Sequence, residues 1–360
     1  MTPLTPTAPA EAGPAGARTE DDGPGAGFAG LAWVTWRQHR WALVSSLVLA
    51  AVLTGWMLYL AADMTNLYHQ CHNTLCPDGS PQAATLDARF TGPIDVADKL
   101  LLAVQYLPAL IGMFLGVPLL AREYEQRTLL LAWSQDVSPV RWLWAKLALV
   151  GGFVAALTAV LSATTDHLAH VLHDVDGSTM FEGSMFLDSG MLPLAIGVAW
   201  FAAGVALGAA IRRVLPAAMA VLAGFVGLLL TVEWRYPTLV QPVSGLFRFG
   251  APGPTDPTNA LRIKGGIRVG PGHVENVFDA SGHPLDYAGL QHACPDFILL
   301  PPRTGFSCLV HHRFQQYMAY QPGSRIPEFH LLIASGYLGL GALALAAVWL
   351  LVRRAGLSAG

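Results

Sequence analysis

Three groups of residues in this 360-residue chain could do chemistry. His167, His170 and His173 lie three apart in DHLAHVLHDVD, beside Asp166, Asp174 and Asp176. Imidazole and carboxylate together can bind zinc or copper. On a helix, however, this spacing spreads the rings over about 120°, too wide for a rigid three-ligand site, and a polar helix exit is expected instead. Cys71 and Cys76, five apart beside His69 and His72, resemble a zinc spacing. The stretch GGIRVGPG at 265–272 is glycine-rich, but a phosphate-binding loop needs Gly-x-x-x-x-Gly-Lys-Ser/Thr. None of the chain's lysines, Lys99, Lys146 and Lys264, follows a glycine. The stretch therefore reads as a loop or hairpin turn. The chain is expected to lack its own nucleotide site, and no catalytic residue, metal ligand or bound cofactor is assigned.

These residues sit in an unusually apolar chain, 53% hydrophobic and 12% charged. Soluble domains carry about 25% charged residues, so the composition points to a polytopic membrane protein embedded in a lipid bilayer. A net charge of −3 offers no basic field for nucleic acid. Residues 1–28, rich in Pro, Gly and Ala, have nothing to bury and read as a disordered tail. Residues 355–360 form a short second tail.

About 20 apolar residues cross a bilayer. Six segments qualify, at about 41–62, 100–120, 147–165, 191–211, 214–232 and 329–352. The expected fold is all-α, with a large loop at about 233–328 between spans five and six. Spans four and five are joined only by Arg212 and Arg213, as a tight hairpin. Arg37 and Arg40, the cluster Arg122 to Lys146, Arg212–Arg213 and Arg353–Arg354 all fall on one side of a six-span arrangement. Basic residues in short loops mark the cytoplasmic face, which places both termini in the cytoplasm. All four cysteines then fall outside, where disulfides persist. Cys294–Cys308 and Cys71–Cys76 are the favoured pairs, although four cysteines allow three connectivities.

No span carries an ionisable residue near its centre. Such residues usually mark ion or proton paths, so their absence argues against a coupled carrier and against an intramembrane hydrolase. The charges gather instead in AREYEQRTLLLAWSQDVSPVRWLWAK, residues 121–146, between spans two and three. Glu123 and Arg127 are four apart in the favourable order for a helical pair. The pattern breaks near Gln135 and Asp136, and Ser138–Pro139 reads as a cap and first helical residue leading into span three. Pro108 and Pro118 fall in span two, where either can bend a helix.

This run resembles the segment after the second span in type 2 ABC transporter permeases. The matching positions include Arg122, Glu123, Glu125, Thr128, Trp133, Gln135, Arg141, Trp142 and Lys146. YQPGSRIPEF at 320–329 is similar to the same group. The resemblance implies the membrane subunit of a bacterial ABC exporter, multi-pass in the plasma membrane and not itself an enzyme. It implies a partner half, identical or not, and a cytoplasmic ATPase subunit that holds ATP and Mg. It also implies a coupling segment that docks the ATPase through Arg122, Glu123, Glu125, Arg127, Gln135 and Asp136. A connecting helix near 31–40 would add Trp33, Trp36 and Arg40. The competing class is a non-transporting sensor or immunity protein whose outer loops bind a ligand. An ATPase partner distinguishes the two.

Overall fold

The computed structural model describes residues 28–73, 81–126, 139–250, 259–270, 272–295 and 302–357. Residues 1–27 and 127–138 lie outside the described residues. So do Cys76 and the side chain of Cys71, and with them the expected Cys71–Cys76 bridge.

Helix α1 runs unbroken from Phe28–Asn73. Its 46 residues span about 69 Å at 1.5 Å each, well beyond a bilayer of about 40–45 Å with its headgroups. The separate interfacial helix expected at 31–40 is therefore a continuous extension of span one. No glycine or proline stands between Gly30 and Gly55 to break it. The chain returns through α2 (Pro81–Gln105), so much of the expected first outer loop is helical.

Span two is segmented. After a turn at Tyr106 come α3 (Leu107–Ile111), a π-helical stretch Gly112–Gly116 and α4 (Val117–Glu125). Pro108 and Pro118 each sit at the start of a new helical segment, where their missing N–H costs least. Helix α5 (Pro139–Lys146) begins at the expected proline and passes through a second π stretch, Leu147–Gly151, into α6 (Gly152–Asp176). A short helix α7 (Gly183–Asp188) precedes α8 (Leu192–Ile211) and α9 (Val214–Arg235). Arg212, in the left-handed conformation, makes the turn between α8 and α9. The last span is α12 (Ile326–Leu357).

Among the described residues, six segments are long and apolar enough to cross a membrane, as expected. α8 is apolar on every side, the signature of a central helix, and packs against α6, α9, span two and α12. Its approach to span two is backbone to backbone. A Cβ on Gly116 would meet Phe201 O at 2.6 Å, and one on Gly208 would meet Val117 O at 2.6 Å. Gly112 and Gly204 likewise leave no room for a side chain between them. Two Gly-x-x-x-Gly pairs thus interlock, the close packing that drives helix association in lipid.

The region between spans five and six departs from an all-α fold. Strands β1 (Val243–Arg248), β2 (Leu261–Lys264), β3 (Arg268–Gly270) and β4 (His273–Glu275) precede helices α10 (Tyr287–Ala293) and α11 (Pro302–His311). β5 (Gln315–Gln321) then leads into α12 (Ile326–Leu357). β5 is central in an antiparallel sheet of order β1-β5-β2, with Val243 opposite Tyr320 and Arg248 opposite Gln315. The glycine-rich stretch supplies the β3–β4 hairpin. Cys294 and Cys308 are disulfide-bonded, with Cα atoms 5.8 Å apart, and help enclose a small core of Phe249, Val277, Leu290, Leu309 and Phe314. The YQPGSR run fastens this domain to the bundle. Buried Gln321 donates to Val240 O (2.7 Å) and Pro237 O (3.2 Å), and Arg325 donates to Gln241 O (2.7 Å).

Candidate functional site

The bundle has a strand-capped end and a charged end. At the charged end, α4 carries Arg122, Glu123, Tyr124 and Glu125 in succession, and each points differently. Arg122 is exposed. Glu123 turns inward and forms an ion pair with Lys146 at the end of α5. The two side chains are only 15% and 3% exposed, respectively. The Lys146 ammonium also lies 4.2 Å from the Trp142 ring centre. Glu123 Oε2 has no hydrogen-bond partner among the described residues. The pairing of Glu123 with Arg127 expected from the sequence involves a residue outside the described ones. The carboxylate reaches across to span three, to a cation 23 positions away.

Glu125 takes a structural partner too. Its Oε1 accepts the Val214 N–H at 2.9 Å, at the start of α9. An acid at a helix N-terminus satisfies an unpaired donor and opposes the helix dipole. The neighbouring Arg212 guanidinium lies 5.1 Å from the Tyr124 ring centre. The end of span two is thereby latched to span three through Glu123 and to the turn between spans four and five through Tyr124 and Glu125. Arg127, Gln135 and Asp136 lie outside the described residues.

On α1, Trp33, Trp36, Arg37 and Arg40 are exposed, while Thr35 and Leu43 are buried. The expected exposed face therefore exists on the extension of span one, where Arg37 stacks on Trp33 at 5.5 Å and Arg40 on Trp41 at 5.4 Å. With Arg122, Arg141, Arg213, Arg353 and Arg354, it makes this end predominantly basic and exposed.

At the strand-capped end, His170 and His173 line a cavity of about 440 Å³ with Asp166 and with His330 of α12. His167 is not among its lining residues. His170 Nδ1 bonds Asp166 O at 2.8 Å, and His173 Nδ1 bonds Ser178 O at 2.6 Å. Among the described residues, donor atoms close enough for a shared ion occur only at Cys294, Cys308 and His312. There the sulfurs are already bonded to each other.

Sequence inspection missed Asp188. It is 3% exposed at the end of α7, set into the bundle from outside the spans. Burial pushes its carboxyl well above the usual carboxylate range. The available signal was an acid in FLDSGM with no basic residue nearby in sequence.

With this geometry in place, the class is a six-span membrane protein with a separate folded domain inserted before its last span. The chain matches the ABC-2 membrane transporter related family over residues 47–235, more than half of its length, and belongs to that family. Residues 238–326, the inserted strand domain, match a domain of unknown function (DUF8319). No curated protein and no solved structure matches the chain.

Proposed function

We propose that this chain is the membrane subunit of a bacterial ABC exporter, working as one half of a dimer in the plasma membrane. Its basic end and both termini face the cytoplasm. A separate ATPase subunit, which holds ATP and Mg, docks on that end across the α1 extension and the coupling segment. Family membership supports the transporter class, and the exposed arginines support the orientation.

One observation carries the coupling. The coupling segment expected from the sequence lies between α4 and α5 in the chain, and the Glu123–Lys146 pair ties those two short helices to each other. Each joins its span through a π-helical stretch, at Gly112–Gly116 and at Leu147–Gly151. Such stretches weaken the regular hydrogen-bond ladder and recur at functional bends. A force on the segment therefore moves α4 and α5 as one body, and the Glu125–Val214 bond passes that motion to span five. ATP shifts the transport equilibrium only through a difference in affinity between two such arrangements.

The test is purification of the carboxyl-terminally tagged chain from native membranes in mild detergent. A stoichiometric ATPase with a phosphate-binding loop is expected. Its retention should fall when Arg40 and Arg122 are both changed to glutamate. Repeated purification without an ATPase would favour the sensor or immunity class instead.

A further inference from the structure

Asp188 Oδ2 makes no hydrogen bond to any described residue, although the side chain is buried. An unsatisfied buried carboxyl demands an explanation. It borders a cavity of about 20 Å³ shared with Gln105, Pro108, Pro193, Phe225 and Tyr337, room for about one water. No counter-ion offsets its burial, since desolvation alone accounts for the upward shift of its carboxyl. Several titratable groups stand around α7: Glu182 precedes it, and the Tyr236 ring after α9 stacks on Phe186 at 4.6 Å. Glu233 of α9 accepts from the Gln105 amide at 3.0 Å. Asp166 of α6 accepts from Gly190 N at 2.7 Å. His330 of α12 meets Phe186 O at 3.2 Å. Tyr337 of α12 shares the cavity wall. α8 contributes no titratable group at all. A sodium or potassium ion would need several oxygen ligands, and this cavity is mostly hydrocarbon.

The element that carries Asp188 is a short buried helix bounded by glycines. Gly183 and Gly190 bracket α7 with positive φ values of 43° and 61°. The segment just before it is tied to span five and to the strand domain. Tyr236 Oη donates to Phe181 O at 2.8 Å, and Met180 N donates to Asn259 Oδ1 at 3.1 Å.

We propose that Asp188 is a proton-binding site at the strand-capped end, occupied while α7 is seated and emptied when α7 is displaced. In the seated state the carboxyl O–H donates to a single water shared with Gln105. On displacement, solvent enters, the O–H bond breaks, the electron pair stays on the carboxylate and the proton passes to bulk water. The inference stands whether or not the chain transports anything.

The test uses the full chain in detergent, with apparent melting temperature measured from pH 5 to pH 8 for wild type and for Asp188→Asn. A carboxyl raised in the folded state stabilises fully below its unfolded pKa, and that stability is lost as pH rises towards the folded value. Wild type should therefore lose roughly 3 °C per pH unit more than the variant, and the variant should melt above wild type at pH 8. Equal slopes, or a variant melting below wild type at pH 8, would overturn the site. Should the variant not fold, infrared spectra of wild type with ¹³C-carboxyl aspartate decide. A protonated-carboxyl C=O band that carries the isotope shift at pH 7 supports the site, and its absence overturns it.

Discussion

Replacing Glu123 with leucine would leave the Lys146 ammonium 3% exposed with its ion-pair partner gone and the Trp142 ring beside it. Removing one member of a buried pair costs about 3–5 kcal/mol, because the remaining charge stays desolvated. Glu123 is 15% exposed and lies near the end of the bundle, so the lower figure, about 3 kcal/mol, is expected. For a chain this long, each kcal/mol lowers the melting temperature by about 2 °C, so Glu123→Leu should melt about 6 °C below wild type. The double variant Glu123→Leu with Lys146→Met removes both charges together. Such apolar replacements are close to neutral or stabilising, so the double variant should recover most of the loss. The assay is size-exclusion recovery of the detergent-solubilised chain after stepwise heating. A single variant that melts within a degree of wild type would refute the clamp, as would a double variant no better than the single. The same pair of variants separates clamp from motor. If the clamp transmits force, the double variant should be stable yet stimulate a bound ATPase less than wild type.

Other sites give sharper, smaller tests. Gly116→Ala should abolish recovery of folded protein, because its Cβ would meet Phe201 O at 2.6 Å, whereas Gly152→Ala, with nothing within 4 Å, should behave as wild type. Glu125→Gln should keep the hydrogen bond to Val214 but lose its charge, lowering the melting temperature by about 1–2 °C, while Glu125→Ala should lower it further. Replacing Cys294 and Cys308 with serine opens a bridge of sequence separation 14, worth about 3 kcal/mol. Protease cutting of the strand domain should rise while the bundle's elution position stays unchanged. Arg325→Ala should speed amide exchange over residues 237–241, whose carbonyls this arginine and Gln321 hold.

The spans were legible because lipid imposes a length and a polarity that sequence shows directly. The hairpin at Arg212–Arg213 was legible too, since two residues leave only one way to turn. The segmentation of span two was readable in its cause, Pro108 and Pro118, but not in its form, a π stretch seated against α8. The interlocked glycines were visible as Gly112-x-x-x-Gly116 and Gly204-x-x-x-Gly208, yet pairing them needs the three-dimensional neighbour of each helix. Glu123 shows what local spacing leaves out. The distant Lys146 becomes its neighbour only once spans two and three lie side by side. Asp188 was hidden differently. It lies outside every span by sequence, and only the re-entry of α7 carries it into the bundle. The strands were missed because short pieces such as LRIK and RVG carry too little alternation to announce themselves.

The two ends of the bundle are linked by a stretch of close backbone contact. At Gly112, Gly116 and Val117, span two meets the backbone of α8 with no room for a Cβ on the facing glycines. Close-packed interiors transmit strain because they have little free volume. On the charged-end side of that contact lie α4 and the Glu123–Lys146 clamp. On the other side lie Pro108, Gln105 and the cavity of Asp188. A shift of α4 along its axis therefore has three routes: it slides the glycine contact by a whole register, it carries α8 with it, or the π stretch changes to α hydrogen bonding and rotates α4 without sliding the contact. Gly112→Ala should block all of these, because its Cβ would meet Trp200 O at 2.8 Å and Val221 Cγ1 at 2.9 Å. Val221→Ala removes the second obstacle only. If Val221→Ala does not restore folding to Gly112→Ala, the backbone contact with α8 is what holds the two ends in step; full restoration would assign that role to the side chains of α9.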